Sequence, residues 1–276
     1  MTTAPLQVPR SVMPSLLFRR RAVTIVAGVS ITVVALALLS VNPFEFIRDF
    51  HFVVNLVSQM LPPNLELLWR KTSIWSSLVQ TVAMAFLATL GGAAIAFLLA
   101  LLAATNTTPS QVVRLAVRLI LTTERCTPNI VVLLVLLIAV GIGPFAAMLS
   151  LLVGSIGMFG KLFADAIEQV DVGPVESTAV SGASRLQILR YAVLPQVAPS
   201  IVANVFYAFD VNLRAAVALG IFGGGGIGFE LNVARSVLRY RDMLACLLVI
   251  IVMINLMERV ADHVRRRIFS LETELK

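Results

Sequence analysis

Long apolar runs broken by short polar stretches set the pattern of this chain. Ala22–Val41 carries no charge and matches the roughly 20 residues that take a helix across a hydrocarbon core. A more polar stretch runs from Asn42 to about Ser76, with Glu45, Arg48, Asp49, Glu66, Arg70 and Lys71, and Pro62-Pro63 interrupts it. Leu78–Ala104 is the second expected span, with Gly91-Gly92 at its middle permitting close helix approach. Thr105–Ser110 reads as a loop. Gln111–Thr127 mixes apolar residues with Arg114, Arg118 and Arg125. The first two arginines share one face by their i,i+4 spacing, so the stretch predicts an amphipathic lead-in to a third span. The apolar part of that span, Ile130–Val140, is short by itself. Gly141–Pro144 predicts a tight turn, Phe145–Phe163 a fourth span, Val197–Phe222 a fifth and Met243–Met257 a sixth.

Composition turns this pattern into a class. Of 276 residues, 58% are hydrophobic and 13% charged, against about 45–50% and about 25% in a soluble domain. The bilayer must therefore act as solvent for much of the surface. The net charge of +7 is gathered beside apolar segments at Arg19–Arg21 and Arg265–Arg267, as in helices held with those ends in the cytoplasm. No aromatic and basic interleaving accompanies it, which argues against nucleic acid. Ala22–Val41 exceeds the roughly 7–15 residues of a signal-peptide core, and Asn42-Pro43 follows without a small-x-small cleavage site, so an uncleaved first span is expected. Both termini inside require an even number of spans, and six agrees. The expected organisation is a cytoplasmic segment 1–21, a first helix 22–41, an extracytoplasmic segment 42–77, a core 78–258 with a cytoplasmic loop 164–196, and a cytoplasmic tail 259–276. Cys126, Cys246, His51 and His263 show no ligand spacing, so no metal site is expected.

The loop 164–196 carries the most specific motif. Glu176 is followed by small residues including Ala179, Gly182 comes six positions later, and Ile188 precedes the hydrophobic-proline pair Leu194-Pro195, its proline thirteen beyond the glycine. This resembles the EAA signature of ABC-importer permeases in spacing and in position between two spans; Ser177-Thr178 replace part of the usual small apolar run. Read from the residues, a short helix starts near Val175 with Glu176 at its positive end, Gly182 reverses the chain, and a second helix covers about Ser184–Tyr191. The small residues would let this pair enter a groove on a partner, and an ordinary linker is the plainer alternative. The resemblance implies an all-α integral membrane protein of six helices with a type I importer core like the methionine permease. It also implies a permease homodimer, two ATPase subunits that bind the ATP and Mg, and an extracytoplasmic solute-binding protein. The chain itself would be no enzyme and bind no cofactor.

Phe209–Arg214, followed by Leu219–Gly228, looks like a conserved segment of phosphonate-type permeases, and Leu61-Pro62-Pro63 is similar to that group too. An anionic cargo such as phosphonate, phosphate or phosphite follows from the resemblance; methionine or another cargo is the alternative. Gly223, Gly224, Gly225, Gly226 and Gly228 lack the Gly-Lys-Ser/Thr of a phosphate loop and predict a non-helical bend at the outer end of the fifth span. Asp210 and Arg214 fall inside that span, where their spacing allows either a mutual ion pair or a place on the pathway, with Asn212 on an adjacent face. Arg235, Arg239 and Arg241 would lie outside, against the positive-inside trend, either drawing an anion to the outer mouth or meeting an acidic partner surface. Arg235 and Arg239 share a helical face by their spacing. A channel or secondary transporter is a rival reading, although no internal repeat supports it, and no His/Asp/Glu cluster supports a membrane enzyme.

Overall fold

In a computed structural model, residues 13–38 and 48–274 can be described. Parts of the expected N-terminal segment, the end of the first span with Asn42-Pro43 and Glu45, and residues 275–276 lie outside them. The described elements are helices α1 (Met13–Leu38), α2 (Phe50–Met60), α3 (Glu66–Arg70), α4 (Thr72–Ala103), α5 (Gln111–Arg125), α6 (Asn129–Val140), α7 (Pro144–Glu168), α8 (Val172–Val180) and α9 (Arg185–Ile188). A wide π turn at Leu189–Val193 leads into α10 (Leu194–Leu219), followed by α11 (Gly226–Ser236) and α12 (Tyr240–Glu274). The chain divides into a unit ending at Ser58 and a larger one from Gln59 onward.

In the first unit, Arg21–Leu38 is apolar all round and its side chains are exposed nearly throughout. A helix without a polar face has no use for water.

The second unit is built on the pairing of α4 with α7. α4 can lie close because Gly91 and Gly92 face Leu152 and Ser155; a methyl group at Gly92 would stand 2.5 Å from Ser155 Cβ. The other face of α7 carries Gly154, Gly157 and Gly160, three residues apart, which receive Asn129, Glu124 and Leu121. These absent side chains let the α5–α6 corner rest on the α7 backbone. Small residues serve this purpose in membranes because packing, with no hydrophobic gain between helices, must hold them together. Phe159 and Phe163 stack at 5.0 Å between ring centroids near one end of α7, and Leu133, Leu151 and Leu213 fill the core nearer the other.

Among the described residues, five helices are long and apolar enough to cross a membrane: α1, α4, α7, the α9–α10 run to Gly224, and α12 as far as Arg266; α5 and α6 pass the same test only together, bent by 90°. The lead-in expected at Gln111–Thr127 is thus a helix, but it does not run straight into the third span. Pro128 has no N–H and disfavours helix in the residue before it, so the chain turns there, with Thr127 N bonded back to Glu124 O at 2.9 Å. The expected boundaries widen elsewhere: α4 begins at Thr72, α7 continues to Glu168, and α12 continues past Met257.

Asn212 is buried between helices, where its amide donates to Thr89 Oγ1 at 2.9 Å and Ser155 Oγ at 2.8 Å. It ties α10 to α4 and α7 and faces the interior of the chain. Thr89 and Ser155 each donate to a carbonyl of their own helix, Ala85 O and Leu151 O. Asn212→Leu should therefore lower stability by about 1–3 kcal/mol, the range for two interhelical hydrogen bonds in a membrane. Unfolding midpoints in mixed detergent micelles check this, and an unshifted midpoint would remove these bonds from the account.

Candidate functional site

The loop between α7 and α10 begins with Asp171, whose carboxylate accepts from Gly173 N at 3.1 Å and caps α8. Because α8 starts at Val172, Glu176 stands in its second turn and not at the positive end expected from the sequence; Asp171 takes that place. Gly182 has φ +83, a left-handed backbone that residues with a side chain rarely adopt, and reverses the chain after α8. Ser184 and Gln187 then form a reciprocal capping box on α9, with Ser184 N donating to Gln187 Oε1 at 2.7 Å. α9 is shorter than the expected helix, because at Leu189 the backbone widens into the π turn that delivers Leu194 and Pro195 to the first turn of α10. Ala179 and Glu176 are exposed and Ile188 is half-buried. The tip presents Val180 and Leu186, 88% and 77% exposed.

A second feature is the break between α10 and α11. Gly223 at φ +99, Gly225 at +74 and Gly226 at +66 carry the chain through a bend that only glycines permit without strain. Gly224, Gly226 and Gly228 are buried. Two peptide groups freed by the bend are met by side chains of α4: Gly226 N donates to Gln80 Oε1 and Ile227 N to Thr81 Oγ1, each at 2.9 Å. Gly228 lies on the α10 backbone, where a side chain would meet Val217 O and Gly220 Cα. The bend expected from the sequence is present; its clamps, Gln80 and Thr81, were missed, and two polar residues near one end of a long apolar span were the available signal.

The charges in α10 are paired. Arg214 meets Asp210 at 3.0 Å and Glu258 of α12 at 3.7 Å, the second partner having no marker in the sequence. Arg235 stands in the last turn of α11 and reaches Asn232 Oδ1 at 3.4 Å. The shared face expected for Arg235 and Arg239 does not form: α11 ends at Ser236, and Leu238 takes φ 56 before α12 begins. Arg239 lies 4.0 Å from Asp242, whose other oxygen accepts from Asn64 Nδ2 at 2.7 Å, while Arg241 O accepts from Asn64 N at 3.2 Å. These residues border an open depression of about 1090 Å³ that also includes Pro62 and Pro63. Lys71 and Glu230 pair at 3.7 Å beneath it. Among the described residues no group of three His, Cys, Asp or Glu is placed to hold a metal.

Residues 96–270 match the model of the binding-protein-dependent transport system inner membrane component family. The chain belongs to that family. It is 38% identical over 220 residues to a putative phosphite transport system permease of Stutzerimonas stutzeri, covering 80% of this chain and 77% of the relative. It is 40% identical over 235 residues to a phosphate-import permease of Mycolicibacterium smegmatis, covering 85% of this chain but 44% of that longer protein. A cryptic phosphonate permease of Escherichia coli is 34% identical over 119 residues, 43% of this chain and 98% of that one. The fold matches a chain of the inward-facing MetNI methionine ABC transporter with TM-score 0.63 and 20% identity, over 74% of this chain and 98% of that one. A chain of a bacterial alginate importer matches with TM-score 0.64 and 18% identity, over 90% and 97%. The chain is thus a multi-pass inner-membrane permease of the phosphonate type with the type I importer fold; its relatives are transport subunits and not enzymes.

The Gly228 contact is testable in this permease. Gly228→Ala places a methyl group against backbone, which cannot rotate aside, and should cost about 1–3 kcal/mol. Gly28→Ala, with nothing within 4 Å, should cost nothing measurable. Thermal aggregation of the two variants in detergent compares them, and equal midpoints would mean that the bend relaxes freely.

Proposed function

We propose that this permease moves an anionic solute of the phosphonate, phosphite or phosphate class across the inner membrane, driven by ATP hydrolysis on separate subunits. The observation that carries the reading is the α8–Gly182–α9 loop. Exposed apolar residues at the tip of a polar loop mark a contact surface, and Val180 and Leu186 are such residues. Two ATPase subunits would receive two such loops, one from each member of a permease homodimer, and a solute-binding protein would deliver the cargo opposite. Movement of the loop would then tilt α7, which leads into it, and α10, to which Asp171 is tied through its N–H to Gln196 Oε1 at 2.9 Å, exposing the central passage to each side in turn. The cargo class rests on the names of the relatives.

The loop belongs in the cytoplasm on this reading, together with both termini, in agreement with Arg19–Arg21 and Arg265–Arg267. Asn64, Lys71 and the 235–242 turn then lie outside, with α5 and α6 counted as one bent span. Asp210 and Glu258 offset the charge of Arg214, so we assign that arginine to linking α10 with α12. Arg235, without a carboxylate partner among the described residues, is the better placed to attract an anion at the outer mouth, and the remaining arginines there contribute through their summed field.

Phosphite uptake by cells carrying the permease with its ATPase and binding protein tests the reading. Gly182→Pro, whose ring fixes φ near −65°, should lower uptake about tenfold or more with the chain still in the membrane. Gly182→Asn, which tolerates the left-handed backbone, should retain it. Equal uptake by wild type and Gly182→Pro would reduce the loop to a linker. Orientation is checked separately in a Cys126→Ser, Cys246→Ser background. Asn64→Cys should react with an impermeant maleimide on intact spheroplasts and Ser184→Cys only after permeabilisation. Labelling of both from one side would overturn the topology.

A further inference from the structure

A cleft between α5 and α7, which also touches Ala103 of α4, is used by none of the features above. It measures about 260 Å³, and its lining includes Arg118, Arg125, Lys161 and Asp165. That is roughly an order of magnitude more than the ~30 Å³ share of one liquid water. Arg118 is already engaged: its Nε donates to Ala103 O at 2.9 Å and its terminal nitrogen meets Glu168 Oε1 at 2.5 Å. Glu168 also accepts from Thr105 N at 2.6 Å. Arg125 and Lys161 make no ion pair or side-chain hydrogen bond among the described residues, and Asp165, one turn from Lys161, makes none either. With Arg118 and Glu168 cancelling, two free cations face one free carboxylate, and the cleft keeps a positive surplus.

Charges on segments of a membrane-spanning bundle are costly and persist where they face water or a ligand. The Arg125 guanidinium from α5 and the Lys161 ammonium from α7 line the same cleft. A phosphorus oxyanion can accept from both, with the guanidinium able to bond two oxygens and the ammonium acting as a point charge. We propose that the α5–α7 cleft binds a phosphorus oxyanion through Arg125 and Lys161. Two sources share this chemistry: a free phosphite-class anion on its way through the permease, and the phosphodiester of an anionic lipid beside it. The free-anion source rests on the import function proposed above, whereas the lipid source does not.

The test uses the assembled permease–ATPase complex. In phosphatidylcholine nanodiscs, phosphite is titrated and its 31P line broadening is read. In discs containing phosphatidylglycerol, native mass spectrometry reads the lipid that stays bound. Arg125→Gln with Lys161→Gln should weaken, by about tenfold or more, whichever ligand the wild type holds. Loss of phosphite with lipid retention unchanged assigns the cleft to the free anion, and the reverse assigns it to the headgroup. The exchange Arg125→Lys with Lys161→Arg keeps both charges and should restore binding. Equal loss in the neutral and exchanged variants marks a packing effect and overturns the proposal, as does a neutral variant that binds both ligands like the wild type. Cellular phosphite uptake separates the two readings. Uptake by the wild type with no binding in the cleft refutes the cleft alone, and lipid retention without uptake refutes the cargo alone.

Discussion

A peptide group that leaves its helix inside a bilayer has no water to bond to, and each one left unsatisfied costs several kcal/mol. The larger unit interrupts its spans twice, at residues 126–128 and at 220–225, so its architecture depends on how those groups are met. At the first break Pro128 removes one donor and Thr127 N turns back to Glu124 O, while Asn129 O accepts from Ser150 Oγ at 2.6 Å. At the second, Gln80 and Thr81 reach across from α4 to Gly226 and Ile227. The side-chain bonds at the two breaks come from Ser150 of α7 and from Gln80 and Thr81 of α4, so this pair serves as the frame on which the broken segments hang.

The glycines of α4 and α7 follow from the same demand. A neighbouring side chain can supply a hydrogen bond only if the backbones come close, and Gly92, Gly154, Gly157 and Gly160 remove the atoms that would keep them apart. Asn212 adds two hydrogen bonds at the centre of this contact. A frame held by close packing moves as a body.

The charges sort by whether they are matched. Asp210 and Glu258 both meet Arg214, Lys71 meets Glu230 and Arg118 meets Glu168. Such pairs join helices whose charged members would otherwise be stranded. Arg125 and Lys161, like Arg235, have no ion-pair partner among the described residues, and both line the cleft between α5 and α7. Position in the fold, and not residue type, separates a structural arginine from one free to hold a ligand.

Membrane class, the approximate spans, the EAA-like loop and the glycine bend were legible in the sequence, because each depends on local quantities. Apolar length is set by bilayer thickness, and a left-handed turn is set by glycine. Arg214 illustrates where that ends: its i,i+4 partner Asp210 follows from helix spacing, but Glu258 lies on a helix whose approach is fixed only by packing. Asn212 read as one face of a span and turned out to be an interior tie, since its partners Thr89 and Ser155 are distant along the chain. Likewise the 90° angle between α5 and α6 needs α7 as a support, and the break at Leu238 separates Arg235 from Arg239. The sequence alone determined which segments are apolar enough to enter a membrane and where the glycine turns fall. Tertiary structure decided which charges are spent on one another, because pairing energy falls off within a few ångströms and only the packed helices set those distances.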